Sequence, residues 1–274
     1  MPSLSAWFKT FLFAGDSIHP ATKAVTVIGS GGKTSLIWRL AASLAPRADM
    51  TDGKTPRRKI LVTPATKMFV PPPEAKRYDR YYGGSGSPPE GKAGITLAGL
   101  FNEAARKLEP LPPGALEKLL PGYDLVLIEG DGSRGLPLKA WTEDEPVVPP
   151  FTDLTIGMLP VWPLGKPVSE ALIHRLPVFL ALTGAVRGEA VKPEHIARLI
   201  DCLFAKARGS RLLFFNQVED DKSLEEARHL TRHLTRHLTM RLAESPGPPS
   251  PGGLSAGLCR IIAGSVREDR VTEL

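Results

Sequence analysis

The residues Gly29 to Ser35 follow an apolar run and have types that can bind phosphate. Glycines let consecutive backbone N–H groups turn toward one anion without a clash from Cβ atoms. A helix that begins after such a loop adds the positive end of its dipole. Lys33 would reach the β- and γ-phosphates, and the Thr34 hydroxyl would ligate Mg²⁺. The predicted phosphate-binding residues are Gly29, Ser30, Gly31, Gly32, Lys33, Thr34 and Ser35.

The loop is a short variety of this motif. The full pattern G-x-x-x-x-G-K-[ST] requires glycine at position 27, where this chain has Val27. The remaining G-x-G-G-K-T resembles the abbreviated phosphate loops of Mur-type amino-acid ligases as much as the longer loop of GTPases. The motif therefore predicts a bound nucleotide, and it leaves ATP and GTP both open.

A second group of polar residues follows the apolar run from Tyr123 to Ile128. Ligands of open parallel sheets gather beyond the carboxyl ends of the strands, and Glu129 and Asp131 would lie there. Carboxylates suit a hard cation such as Mg²⁺. The sequence therefore predicts Thr34, Glu129 and Asp131 as metal ligands, with Lys33 and Asp131 as catalytic residues. Three nearby side chains could face an anionic substrate or the γ-phosphate: Ser133, Arg134 and Lys139.

Two further segments carry weaker signals. Thr63, Thr66 and Lys67 end another apolar run and could contact phosphate or a metal-bound water, as switch segments do. The segment Asn216-Gln-Val-Glu219 occupies the place of the guanine-reading Asn-Lys-x-Asp motif of GTPases. Gln217 replaces the lysine of that motif. Asn216, Gln217 and Glu219 are accordingly predicted to contact the base, and ATP remains an alternative to GTP.

A repeated Arg-His-Leu-Thr motif between residues 228 and 239 invites a metal site made by three histidines. Four-residue steps drift around an α-helix, so the three side chains cannot converge on one ion. Leucines at the same spacing predict an amphipathic helix instead. We assign no site to this repeat.

Alternating strands and helices must position these groups. Apolar strands are predicted at 24–28, 59–63, 123–128, 211–215 and 259–263, and helices at 1–14, 33–44, 97–108, 193–207 and 224–242. This order predicts an α/β fold with a mostly parallel sheet flanked by helices, as in the three-layer sandwich of P-loop NTPases. We expect a single domain over 1–274. Within it, 137–182 is predicted as an insertion or a subdomain facing a substrate or client, and 71–91 as a loop.

The composition is that of an ordinary globular protein, with 42% hydrophobic and 23% charged residues. The formal net charge is +6, but no run of basic residues indicates nucleic-acid binding. No apolar run is long enough to span a membrane. Two cysteines without metal-ligand spacing predict free thiols and a cytoplasmic location.

The quoted segments resemble those of the YqeC-type family, accessory factors for selenium-dependent molybdenum hydroxylases. The resemblance is carried by the glycine loop, by 61–69, by 128–140, by Glu145-Pro-Val-Val-Pro149 and by Gly165-Lys-Pro-Val-Ser-Glu170 with His174-Arg175. The chain departs from the family at Gly130, Arg134, Gln217 and Glu219, and at Pro64 and Ala65 after the second strand. The resemblance implies a P-loop NTPase fold and a role in maturing a molybdenum hydroxylase.

Three functions follow as hypotheses. The first is a Mg²⁺-dependent NTPase that assists a molybdenum hydroxylase or its cofactor-insertion machinery, with Lys166, His174 and Arg175 facing the substrate or client. The second is an ATP-dependent ligase or small-molecule kinase, which the short loop favours. The third is a nucleotide-gated binding module with negligible turnover.

Overall fold

The computed structural model describes residues 2–13, 24–45, 58–71, 75, 77–85, 92–244 and 258–274. Side chains of 238–244, 258 and 259 lie outside the described part. The helices are α1 (Leu4–Phe13), α2 (Lys33–Leu44), α3 (Ala115–Leu119), α4 (Leu176–Thr183), α5 (Pro193–Phe204) and α6 (Asp221–Glu244). The strands are β1 (Ala24–Gly29), β2 (Lys59–Pro64), β3 (Met68–Phe69), β4 (Arg80–Tyr82), β5 (Gly94–Ala98), β6 (Leu100–Asn102), β7 (Lys107–Glu109), β8 (Leu125–Glu129), β9 (Leu138–Lys139), β10 (Leu154–Pro160), β11 (Ile173–His174), β12 (Ser210–Asn216), β13 (Leu258–Ser265) and β14 (Arg270–Glu273).

The main sheet has nine strands in the order β14-β13-β12-β10-β1-β8-β2-β5-β4. Its neighbours run parallel except for the β13–β14 pair at one edge. Every residue of β1, β8 and β10 is buried, as expected for strands covered on both faces. The predicted α/β fold with a mostly parallel, helix-flanked sheet is confirmed.

Apolar side chains cover both faces of this sheet. On one face, α1 and α2 pack Phe8, Leu36 and Leu40 against Val25 and Val27 of β1. On the other face, α4, α5 and α6 pack against β12, with Leu230 and Leu234 of α6 in the core. The repeat in α6 thus supplies the buried leucines that its spacing predicts. The sandwich fixes β1 between β10 and β8, which sets the start of the glycine loop.

The strand registers bring the predicted polar residues to one edge of the sheet. Val27 of β1 lies opposite Glu129 of β8, and Pro64 of β2 lies opposite the same glutamate. On the other side, Gly29 lies opposite Met158, and Pro160 of β10 lies opposite Asn216. The carboxyl ends of these strands therefore surround the loop that joins β1 to α2.

The predicted helix at 97–108 is wrong. Leu97 lies in β5, which ends at Ala98, and β6 and β7 form an antiparallel hairpin in which Phe101 lies opposite Leu108. With β3, this hairpin makes a separate three-stranded sheet. A Cβ at Gly99 would lie 2.5 Å from the Leu108 side chain, so the chain turns tightly between β5 and β6. A few apolar residues at helix-like spacing could not reveal this turn.

Other boundaries also differ from the sequence predictions. Within the predicted loop 71–91, Arg80–Tyr82 forms edge strand β4, while 72–74, 76 and 86–91 lie outside the described residues. The segment 137–182 contributes β10 to the centre of the main sheet, and its β9 and β11 form a small parallel sheet beside it. No helix within the described ranges is both long and apolar enough to cross a membrane.

Candidate functional site

The glycine loop has a backbone that only glycine adopts readily. Gly29, Gly31 and Gly32 have φ angles of +103°, +76° and +124°. A Cβ at Gly29 would lie 2.1 Å from the carbonyl oxygen of Met158, so no larger residue fits there. The Ser30 amide donates to that same carbonyl at 2.9 Å, and its hydroxyl donates to the carbonyl of Pro137 at 2.6 Å. The loop is therefore fixed against β10 and the start of the 137–182 segment.

Helix α2 begins at Lys33, directly after the loop. The N–H groups of a first helical turn have no partner inside the helix and can serve an anion. The Lys33 side chain is 4% exposed, and its Nζ donates to the Gly29 carbonyl at 2.6 Å. The ammonium thus lies over the loop that the glycines form.

Thr34 and Glu129 meet across the start of α2 and the end of β8. The Thr34 hydroxyl donates to Oε2 of Glu129 at 2.8 Å. Burial raises the pKa of Glu129, against the opposing charge of Lys33 and the hydrogen bond from Thr34. A hydroxyl and a carboxylate side by side are the oxygen ligands that Mg²⁺ takes, so the residues present fit this cation.

Asp131 lies beneath the loop rather than in the wall of a cavity. Its carboxylate accepts hydrogen bonds from the Gly29 amide at 3.0 Å, from Nε1 of Trp141 at 2.6 Å and from Nζ of Lys139 at 3.2 Å. Nζ of Lys33 lies 3.4 Å from Oδ1 of Asp131, the oxygen that accepts from the Gly29 amide. Asp131 is fully buried, and these contacts join the loop, α2 and the 137–182 segment. Its assignment as a metal ligand and catalytic residue stays a prediction; the contacts favour a positioning role.

Lys139 is also fully buried, and it extends the network below the loop. Besides Asp131, its ammonium donates to the Gly132 carbonyl at 2.6 Å and to Oε2 of Glu145 at 2.5 Å. Arg175 donates to the same glutamate oxygen at 2.8 Å. Burial acts to raise the pKa of Glu145, but Arg175 and Lys139 outweigh it and hold that pKa below its ordinary value. Sequence reasoning missed Glu145 and Trp141 as members of the site.

A cavity of about 270 Å³ opens above the loop. It brings together most of the predicted phosphate and metal residues, together with Lys67, Ser133, Arg134 and Gln217. Phe69 and Lys107 also line it; neither was predicted as a site residue, and they lie on β3 and β7. The wall includes Lys33, Thr34, Ser35 and Glu129, but it does not include Asp131 or Lys139.

A second cavity, of about 530 Å³, lies beside the first. Its wall contains five of the predicted substrate or switch residues: Thr66, Lys67, Arg134, His174 and Arg175. Lys67 pairs with Glu109 at 2.9 Å across this cavity. Burial lowers the pKa of His174, and the positive charges of Arg175, Lys139 and Arg134 lower it further. Three predicted residues fall elsewhere: Thr63 is buried in β2, Lys139 is buried below the loop, and Lys166 is exposed outside both cavities.

A third cavity, of about 920 Å³, lies on the other side of the loop, where Trp38, Arg39 and Trp162 line it. Asn216 donates to the Gly31 carbonyl at 2.6 Å and accepts from the Val266 amide at 2.9 Å. Glu219 accepts from the Ser265 hydroxyl at 3.1 Å and pairs with Arg267.

Gln217 lies in the same wall, at a φ of +63°, and accepts from Nε1 of Trp162 at 2.7 Å. The three residues predicted to read a base therefore lie together, and each has its side chain bonded within the protein.

Comparisons with known proteins place the chain in a family. The model of the family described as YqeC protein matches residues 25–177, more than half of the 274 residues. The chain belongs to the YqeC family. It is 29% identical over 181 residues to a protein of Escherichia coli (strain K12) described as "Uncharacterized protein YqeC". That match covers 64% of this chain and 66% of the relative, and it carries no statement of activity.

Proposed function

We propose that this protein binds a Mg²⁺-nucleotide at the β1–α2 loop and hydrolyses it as an accessory factor in the maturation of a selenium-dependent molybdenum hydroxylase. The nucleotide part is carried by one observation. Lys33, Thr34 and Glu129 line a single cavity at the carboxyl ends of β1 and β8, above a loop of positive-φ glycines. The maturation part rests on the resemblance to YqeC-type accessory factors.

The chain's own residues have distinct tasks in this proposal. The first-turn N–H groups of α2 and the Lys33 ammonium would contact phosphate oxygens and stabilise the charge that develops during transfer. Thr34 and Glu129 would hold Mg²⁺, which supplies charge neutralisation at the phosphates when it is bound. Asp131 would keep Lys33 and the Gly29 amide in place. The proposed nucleotide is ATP or GTP.

The ligase or kinase alternative is favoured by the second cavity. A nucleotide-dependent ligase needs a separate site for its other substrate next to the terminal phosphate. The 530 Å³ cavity shares Lys67, Lys107, Gly132 and Arg134 with the 270 Å³ cavity above the loop, which we call the phosphate cavity. Two adjoining cavities are the arrangement that such a reaction requires.

Phosphate release with ATP or GTP and Mg²⁺ tests the proposal, in the presence and absence of a molybdenum hydroxylase client. Stimulation of release by the client is the expected result. Turnover that depends on ATP and a small acid would favour the ligase, and tight binding without turnover would favour the binding module. Either outcome would remove the NTPase accessory role.

Thr34→Val supplies the variant for this assay, because it removes the hydroxyl and keeps nearly the same shape. We expect it to abolish Mg²⁺-dependent release. Ser43→Ala is the matched control on the same helix, since its hydroxyl donates to the Leu40 carbonyl of that helix at 3.0 Å. Equal loss of turnover in both variants would contradict a metal role for Thr34.

A further inference from the structure

The second cavity is next to the phosphate cavity and has walls of its own. Lys67, Lys107, Gly132 and Arg134 line both cavities. The remaining wall of the second cavity consists of Thr66, Glu109, Pro110, Glu145, His174 and Arg175. Its volume of about 530 Å³ lies in the range of small-molecule sites, which is roughly 300–1,000 Å³. A ligand here would lie beside whatever occupies the phosphate loop.

Positive charge predominates in this wall. Four cationic side chains face two carboxylates. Each carboxylate already has a cationic partner, because Glu109 pairs with Lys67 at 2.9 Å and Glu145 pairs with Arg175 at 2.8 Å. Glu145 also accepts from buried Lys139. Since Lys107 and Arg134 add charge beyond these pairs, the cavity has a surplus of positive charge, and clefts of one sign concentrate ligands of the other.

Two further groups in the wall are suited to an anion. The Oγ1 atom of Thr66 is buried and has no hydrogen-bond partner among the described residues. A buried hydroxyl without a partner is costly, and an anionic oxygen would satisfy it. His174 is half-buried next to Arg175 and Lys139, and the burial and these charges lower its pKa. The imidazole therefore lies among three positive charges, whose effect on its pKa the Glu145 carboxylate offsets only in part.

We propose that this second cavity binds an anionic small molecule that carries phosphate or carboxylate groups, and holds it beside the terminal phosphate of the nucleotide. The placement beside a nucleotide rests on the function proposed above; the anion site itself rests only on the cavity. Arginine forms paired, directional hydrogen bonds with phosphates and carboxylates, which gives Arg134 and Arg175 the central roles. The protein would then act on two ligands rather than on a nucleotide alone.

The test uses the full chain saturated with Mg²⁺ and a non-hydrolysable ATP or GTP analogue, so that the phosphate loop is filled. Inorganic pyrophosphate and citrate are the two probes, followed by calorimetry and by NMR titration of the His174 imidazole. An anion in the cavity favours the imidazolium and raises the pKa of His174. We expect at least one probe to bind and to raise that pKa; preference for pyrophosphate or citrate identifies a phosphate or carboxylate ligand.

Arg175→Gln provides the variant arm, because Arg175 lines the second cavity but not the first. We expect it to weaken probe binding about tenfold, since it removes a charge-assisted hydrogen bond. Arg187→Gln is the matched control: Arg187 pairs with Glu170 on the surface, outside both cavities. Its affinity for the probe should equal that of the unaltered protein.

The outcomes separate this proposal from the nucleotide proposal. If neither probe binds, the cavity proposal is overturned. It is also overturned if a probe binds without changing the pKa of His174 and this binding is lost only in Lys33→Ala. If no nucleotide analogue binds but a probe still raises the His174 pKa in an Arg175-dependent manner, the anion site stands and the nucleotide proposal fails.

Discussion

The two sides of the glycine loop differ in what their polar side chains contact. On the phosphate side, Lys33, Thr34 and Glu129 line a cavity. On the opposite side, Asn216 bonds the loop and the Val266 amide, while Glu219 bonds Ser265 and Arg267. Similar residue types thus line a cavity on one side of the loop and join parts of the protein on the other. Residue types in a motif therefore do not by themselves separate residues that line a cavity from residues that hold the fold together.

The network below the phosphate side should give the largest effect on folding. Lys139→Met removes a fully buried cation and leaves Asp131 and Glu145 without it. Breaking a buried ion pair on one side costs about 3–5 kcal/mol, and we expect a loss of that size in urea unfolding. Arg187→Gln, which breaks an exposed pair, should cost under about 1 kcal/mol. Equal losses of unfolding free energy in the two variants would contradict a stabilising role for the buried Lys139 network beneath the loop.

Asn216 should have the next largest effect. Asn216→Ala removes two bonds from a side chain that is 3% exposed. Leaving buried partners unsatisfied should cost about 2–3 kcal/mol, and the displaced loop should weaken ATP and GTP binding equally. Asn102→Ala, at a half-buried hairpin position, is the control and should leave nucleotide binding unchanged. A selective loss of one nucleotide would mean that Asn216 reads the base.

The raised pKa of Glu129 predicts that the stability of the protein and its Mg²⁺ affinity both depend on pH. Because burial raises its pKa, the folded protein retains a proton that the unfolded chain has lost. Stability should therefore fall as pH rises from the ordinary glutamate range toward the raised pKa. Mg²⁺ requires the ionised carboxylate, so Mg²⁺ affinity in the presence of nucleotide should rise over the same window.

Unfolding and Mg²⁺ titrations at a series of pH values measure both slopes. Glu129→Gln should remove both slopes and bind Mg²⁺ weakly. Glu145→Gln, whose carboxyl has a lowered pKa, is the control and should leave the slopes in this window in place. An unaltered Mg²⁺ slope in Glu129→Gln would show that another group titrates.

Glu219 should have the smallest effect. Its carboxylate is partly exposed and pairs with Arg267, so Glu219→Ala should cost under about 1 kcal/mol. We expect the ratio of GTP to ATP affinity to stay the same in a competitive titration. A loss of GTP affinity alone would establish guanine reading by Glu219, as the sequence pattern predicts.

The sequence predicted the parts of the site that are local in the chain. Strand β1, the glycine loop and helix α2 are contiguous in the chain, and β8 is an apolar run that ends at Glu129. Local sequence patterns could therefore predict the secondary structure of each of these elements. Parallel strands then bring Glu129 to the loop. The Glu145–Lys139–Asp131 network could not be predicted, because it forms only when the chain folds back over β1. Asp131 and Lys139 were each predicted as site residues, but no pattern indicated that Lys139 bonds both Asp131 and Glu145.

The β5–β7 region was predicted wrongly for a related reason. Leu97, Leu100 and Phe101 have helix-like spacing, but Leu97 lies in β5 between β2 and β4 of the main sheet, whereas Leu100 and Phe101 pair with β7 in the separate sheet. Lys107 and Phe69 reach the phosphate cavity through that hairpin. Because local periodicity does not indicate this hairpin, it could not predict that Lys107 and Phe69 line the cavity.

Nucleotide binding by Lys33→Ala tests the central claim most directly. Lys33 contacts the loop and Asp131, while Asp131 keeps Lys139, Trp141 and the Gly29 amide, so the fold should survive the change. Calorimetry with Mg²⁺-ATP and Mg²⁺-GTP should show a loss of affinity of about 100-fold or more, because charge-assisted bonds to two phosphates disappear. Lys222→Ala, an exposed lysine of α6, should bind like the unaltered protein. Unchanged affinity in Lys33→Ala would contradict a phosphate-binding loop.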